Sequence, residues 1–226
     1  LSTRTGTIRF LKIATHGHTV NRDHNVFLAD YIDGLTRSAR ALGYNLEISA
    51  FAGAGIDEIV NSVRGASLKG VVVLGTELGP DAIQSFAHLP MPFVFLDTYY
   101  DFLPFDFVDM NNKDAVYDII MHLIENGHES VGFVRSPVNT HNFFLRDEGF
   151  HQTMTELGMS IPTVNVFNVD STFDGAYRDM LELLEGRGEM PTALFCTNDI
   201  MAYGTIKALR ERGWRVPEDV SVVGFD

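Results

Sequence analysis

Cysteine is nearly absent: one thiol, Cys196, stands in 226 residues. That excludes an internal disulfide framework and any Cys/His zinc-finger spacing, and it fits a reducing compartment. Basic residues are scarce as well. Seventeen Lys and Arg face thirty Asp and Glu, a net charge of −13. Nucleic-acid binding depends on Lys and Arg neutralising phosphates, so this segment is not expected to bind DNA by itself. Long apolar runs are missing. None approaches the roughly 20 residues that a membrane span needs, and no membrane partner is expected. The opening, Leu1-Ser-Thr-Arg-Thr-Gly6, has neither a signal peptide's apolar region nor an initiator Met. A leader or a whole domain removed ahead of it is the expectation.

Catalytic motifs are missing too. There is no Gly-x-Ser-x-Gly elbow, Walker A loop, His-Glu-x-x-His or Gly-x-Gly-x-x-Gly. Gly53-Ala54-Gly55 lacks a third glycine and reads as a turn between strand and helix. His16, His18 and His24 cluster after the first apolar run. Without a Cys or carboxylate pattern they read as a solvated or ligand-facing loop rather than a metal site. No catalytic residue, no cofactor and no metal is expected, and an enzyme built on the same scaffold is the rejected rival.

What is present is a regular alternation. Apolar runs at 8–14, 45–51, 70–74, 93–96, 130–134, 164–168, 193–196 and 221–224 predict strands. Helical patterns at 27–42, 55–64, 80–88, 112–126, 141–157, 173–186 and 199–212 separate them. Strands alternating with helices of about 10–15 residues imply βαβ units and a parallel sheet. Runs such as Val71-Val72-Val73-Leu74 suit strands buried on both faces. Gly43, Gly127, Gly158 and Gly213 each follow a helical pattern, where a positive φ is favoured. The fold class is therefore α/β, with two similar lobes of parallel sheet flanked by helices. The division is placed near Gly127, giving 1–126 and 127–226, with a cleft at the carboxyl ends of the strands where ligands bind in such sheets.

Polar residues gather at predicted strand ends. Thr140, Asn142 and Arg146 open the helix after strand 130–134, and Asn142 and Arg146 share one helix face. Arg offers five fixed donors for hydroxyls or a carboxylate; its bland role is a surface pair with Asp147 or Glu148. Asn198 and Asp199 stand at the next strand end, where simple N-capping is the alternative. Asp226 follows the last strand, and its carboxylate suits sugar hydroxyls or a ring N–H. Phe27 opens the first helix and suits stacking on a flat ligand, with core packing as the alternative. Asp114 lies in a first helical turn, where interaction with the helix dipole is the bland role.

Several segments are specific in combination. They are Lys69-Gly70-Val71-Val72-Val73, Met91-Pro92-Phe93-Val94-Phe95-Leu96-Asp97, Gly127-His128, Arg146-x-x-Gly149-Phe150 and Val216-Pro217-x-Asp219-Val220-Ser221-Val222-Val223-Gly224-Phe225-Asp226. From Ile8 to Asp226 the chain resembles the effector-binding core of bacterial regulators of the lactose-repressor/purine-repressor (LacI–GalR) family. That resemblance implies a periplasmic-binding-protein-like fold. It implies a cytoplasmic homodimer with a small-molecule effector, a sugar by expectation, in the cleft. It also implies operator DNA held by a helix-turn-helix domain upstream of this chain. Effector contacts carry over onto Phe27, Asp114, Thr140, Asn142, Arg146, Asn198 and Asp226. The family continues past Gly-Phe-Asp with elements that complete both lobes. Lys69 and Met110 replace family Asp residues, and the loop 15–25 is longer. A periplasmic sugar-binding protein of a transport system is the alternative function.

Overall fold

The computed structural model describes residues 6–226, so the opening Leu1-Ser-Thr-Arg-Thr lies outside the described residues. The chain forms two compact units, the first ending at Met110 and the second running from Asn111 to Asp226. The expected division near Gly127 is thus corrected. Helix α4 (Asn112–Glu125) packs on α5 (His141–Glu156), which places it in the second unit.

The first unit is an all-parallel sheet in the order β2-β1-β3-β4-β5. Its strands are β1 (Gly6–Ala14), β2 (Tyr44–Ala52), β3 (Gly70–Leu74), β4 (Phe93–Leu96) and β5 (Asp106–Val108). Successive strand residues face opposite sides. Leu11, Ile13, Val71, Val73, Phe93 and Phe95 therefore join a core with Ile59, Val60 and Val63 of α2 (Ile56–Val63) and Ile83 of α3 (Pro80–Gln84). Phe10, Leu74 and Leu96 face the other side and pack with Leu28 of α1 (Asn25–Ala41).

The second unit is a parallel sheet in the order β7-β6-β8-β9. Its strands are β6 (Val131–Arg135), β7 (Val166–Asn168), β8 (Ala193–Cys196) and β9 (Ser221–Val223). On one face Val134, Leu194 and Cys196 bury against α6 (Phe173–Leu183) and α7 (Asp199–Glu211). On the other, the Phe133 ring stacks on Phe150 of α5 at 4.5 Å and on Phe195 at 5.5 Å. Among the described residues no helix is long and apolar enough to cross a membrane.

Three expectations differ in detail. The helix expected to reach residue 88 ends at Gln84, because the amides of Phe86 and Ala87 bond to carbonyls three residues back and tighten the chain into 3-10 turns. The strand expected from 164 begins at Val166, after a 3-10 turn over Thr163–Asn165 that follows Pro162. Strand β5 was not anticipated; three residues beyond Pro104 carry too little pattern.

Helices α6 and α7 meet through Gly204. A Cβ there would stand 2.8 Å from the Phe173 carbonyl and 2.8 Å from the Tyr177 amide, both backbone atoms. Gly204→Ala should therefore separate the helices and cost about 2 kcal/mol, lowering Tm by roughly 4–8 °C. A melt by circular dichroism checks this; an unchanged Tm would mean that the pair relaxes freely.

Candidate ligand-binding site

In the second unit, strand order reverses between β6 and β8, the switch point beside which ligands bind in open parallel sheets. The segment after β6 runs from Ser136 to Thr140 and leads into α5. Thr140 is its N-cap: the hydroxyl accepts the Phe143 N–H at 3.3 Å. Thr197 and Asn198 follow β8, and the Asn198 side chain caps α7 by accepting the Met201 N–H at 2.9 Å. Capping is therefore a shown role of both residues.

Arg146 is the hub. It sits on the second turn of α5 and is 5% exposed. Its Nε donates to Asn112 Oδ1 at 2.9 Å and its Nη1 to the Thr197 carbonyl at 2.8 Å. Its guanidinium lies 3.8 Å from the centre of the Phe225 ring, a stacking geometry available to its planar cation. Asn112 in turn donates to Asn142 Oδ1 at 3.1 Å. One side chain thus ties the start of α4, helix α5, the end of β8 and the segment after β9. The acidic neighbours have other partners: Asp147 pairs with Arg135 at 2.8 Å and Glu148 with Lys113 at 2.9 Å. Arg146 itself is buried among Asn112, Thr197 and Phe225 rather than at the surface.

Beside this network lies a pocket of about 360 Å³. Arg135, Ser136, Asn139, Thr140 and Thr197 give it a polar lining, and Phe143 and Phe144 an aromatic wall. The other expected residues are spread more widely. Asp226 is exposed after β9, and the carboxyl of Asp199 is pushed up by burial and then by the charge of Asp226, against a backbone bond from Phe225. Asp114 is exposed and accepts from Asn111 at 2.6 Å. Phe27 belongs to the first unit, half-buried and edge-on to Tyr31 with centroids 4.8 Å apart. Among the described residues no group of His, Cys, Asp and Glu is placed to hold a metal ion.

The first unit has a polar centre that the sequence reading missed. Glu77 follows β3, and its carboxylate accepts from the backbone of the loop after β1. The amides of Thr15, His16 and Gly17 reach Oε2 at 2.7, 2.9 and 3.0 Å. Those of Thr19 and Val20 reach Oε1 at 2.9 and 2.8 Å, joined by the Thr19 hydroxyl at 2.9 Å. The His16 ring lies alongside, with Nδ1 3.4 Å from Oε1 and accepting the His18 N–H at 3.1 Å. Burial raises the carboxyl's pKa, but the backbone bonds outweigh burial and hold it at about 2.

The second unit contains the whole span that a family model recognises: residues 120–226 match the periplasmic binding protein-like domain. The chain is 29% identical over 203 residues to the HTH-type transcriptional repressor CytR of Escherichia coli K12, spanning 88% of this chain and 59% of that protein. It is 37% identical over 163 residues to the HTH-type transcriptional repressor PurR of Haemophilus influenzae PittEE, spanning 70% of this chain and 46% of that protein. Its fold matches a regulatory protein of the LacI family from Chloroflexus aggregans with a TM-score of 0.83 and 25% identity, over 97% of this chain and 78% of that one. The chain belongs to the LacI–GalR family. It spans about half the length of the curated relatives it matches.

Two measurements follow for this LacI–GalR chain. Arg146→Ala removes the guanidinium donor from a buried carbonyl and a buried amide oxygen and should cost about 3 kcal/mol. Urea unfolding reads this directly, and a loss below about 1 kcal/mol, the worth of one ordinary hydrogen bond, would contradict it. Glu77 is the second. Its pKa stands at about 2 against an ordinary 4.5, worth roughly 3 kcal/mol. That contribution is complete above the ordinary value and disappears as pH falls from about 4.5 towards 2. Glu77→Gln should lose about 3 kcal/mol at neutral pH and show a shallower decline over the same acid range. Parallel acid limbs would refute the assignment.

Proposed function

We propose that this chain is the effector-binding core of a bacterial transcription regulator. It takes a small hydroxylated metabolite, a sugar or a molecule of similar polarity, in the pocket of the second unit. Operator DNA is held by a helix-turn-helix domain outside this chain, and effector binding changes that domain's grip. The cores pair as a homodimer, where a C₂ interface uses the same patch on both partners. The protein works in the cytoplasm and catalyses no reaction.

The observation that carries this reading is the polar array at the β6–β8 switch point. Arg135, Ser136, Asn139, Thr140 and Thr197 supply donors and acceptors, and Phe143 and Phe144 an apolar face, the mixture that orients a polyhydroxy ring. The repressor names of the relatives support a regulator over a transport protein, and the net charge of −13 supports a separate DNA reader. Within the second unit we place Thr140, Asn142, Arg146, Asn198, Asp226 and Asp114 about the effector site. Thr140 and Asp226 make direct contact, and Arg146 and Asn142 hold the frame.

The test is a thermal-shift panel of neutral sugars and nucleosides, followed by calorimetry on any compound that raises Tm. At least one should. Asp226→Ala, at an exposed position, should leave the free protein's Tm in place. It should weaken binding at least tenfold, the loss of one charge-assisted hydrogen bond at about 1.4 kcal/mol or more. A silent panel would remove the effector reading, and unchanged affinity would remove Asp226 from the site.

A further inference from the structure

We propose that Arg135 and Asp147 form a diol reader in the pocket of the second unit: the guanidinium donates to one hydroxyl of a neutral sugar ring, and the carboxylate accepts from the adjacent hydroxyl. The inference rests on the effector-binding reading above. It deepens that reading by naming the ligand group that is read and two residues outside the set carried over from the family.

Arg135 ends β6, and strand alternation turns it to the same side as Phe133, towards α5. Two elements hold its guanidinium. Nε donates to Asn168 Oδ1 on β7 at 2.9 Å, and Nη1 donates to Asp147 Oδ2 on α5 at 2.8 Å. Among the described residues Nη2 has no hydrogen-bond partner. The side chain is 39% exposed and lines the pocket. An ordinary surface ion pair gains little, because two long side chains must be ordered to make it. Here the bond to Asn168 braces the guanidinium from a second strand. The spare donor therefore stands in place before a ligand arrives, and little side-chain entropy is lost on binding.

Asp147 supplies the acceptor. Its Oδ2 takes the Arg135 bond, and its Oδ1 faces His151 Nε2 at 3.4 Å. A carboxylate offers about four lone-pair sites, so acceptor capacity remains towards the pocket that Asp147 lines. A hydroxyl both donates and accepts, and two adjacent hydroxyls can satisfy the donor and the acceptor together. The charges of the pair sum to zero. Among the described residues no other Lys, Arg, Asp or Glu lines the pocket, so neither an anion nor a cation gains net attraction there. Phe144 lines the same pocket and is 52% exposed. The His141 ring stacks beside it, with centroids 6.2 Å apart and planes 27° from parallel. An apolar ring face for Phe144 and hydroxyls at the ring edge for the ion pair describe a sugar.

The test is calorimetry on the wild-type chain with D-glucose, D-ribose and adenosine, each beside its 2-deoxy and 3-deoxy analogues on the sugar ring. A site built around a hydroxyl rejects the analogue that lacks it. For at least one parent, loss of one hydroxyl should weaken binding at least tenfold, the loss of one hydrogen bond to a charged group. Arg135→Met keeps an unbranched stem and removes the donors. It should bind that parent at least tenfold more weakly, and parent and deoxy analogue should then bind within roughly threefold of each other. A residue that merely supported the fold would weaken both by one factor and leave their ratio unchanged. Should Arg135→Met not fold, Asp147→Asn reads the same loss of discrimination.

Equal binding of parent and deoxy analogues by the wild type, or an unchanged ratio in the variant, overturns the diol reader and leaves the effector reading standing. A chain that binds none of the three parents also overturns the diol reader. The effector reading then stands or falls on whether any other compound of the thermal-shift panel raises Tm.

Discussion

A buried guanidinium organises the second unit. Removing a charge from water costs several kcal/mol unless hydrogen bonds and aromatic contact replace the lost hydration. Arg146 meets that condition with Asn112, the Thr197 carbonyl and the face of Phe225. These partners come from α4, from the end of β8 and from the segment after β9. None of them can move far without exposing the cation to an unsatisfied environment. The carboxyl edge of the sheet is thereby fixed before any ligand arrives, which lowers the cost of ordering a binding site.

The first unit solves the same problem with the opposite sign. There the buried charge is the carboxylate of Glu77, and the compensating groups are backbone amides rather than side chains. The two centres differ in consequence. Arg146 joins distant elements through their side chains and termini. Glu77 holds a single loop in one shape and consumes its donors. Both stand at the carboxyl ends of parallel strands, where α/β folds place their chemistry.

The sequence carried the alternation of strands and helices because buried parallel strands read as continuous apolar runs, as in Val71–Leu74 and Ala193–Cys196. Helix ends were legible where a backbone conformation demands a residue type: Gly127 and Gly213 have φ of 87° and 86°, and Asn198 caps α7. Strand β5 was not legible, since three residues carry no period. The unit boundary was missed because no composition change marks Met110. Glu77 gave no local signal, as its partners lie about sixty residues away in a loop with no motif of its own. Arg146 was identified by position and family motif, but its burial was not, because the residues that satisfy it come from three other elements.

The central claim is that Arg146 couples separate elements rather than filling one position. A double-mutant cycle between Arg146→Met and Asn112→Ala, read by urea unfolding, addresses this most directly. Residues in one hydrogen-bonded network show coupling of about 0.5–3 kcal/mol. The account predicts a coupling of at least about 1 kcal/mol between these two side chains on different helices. Additivity to within about 0.3 kcal/mol would contradict it.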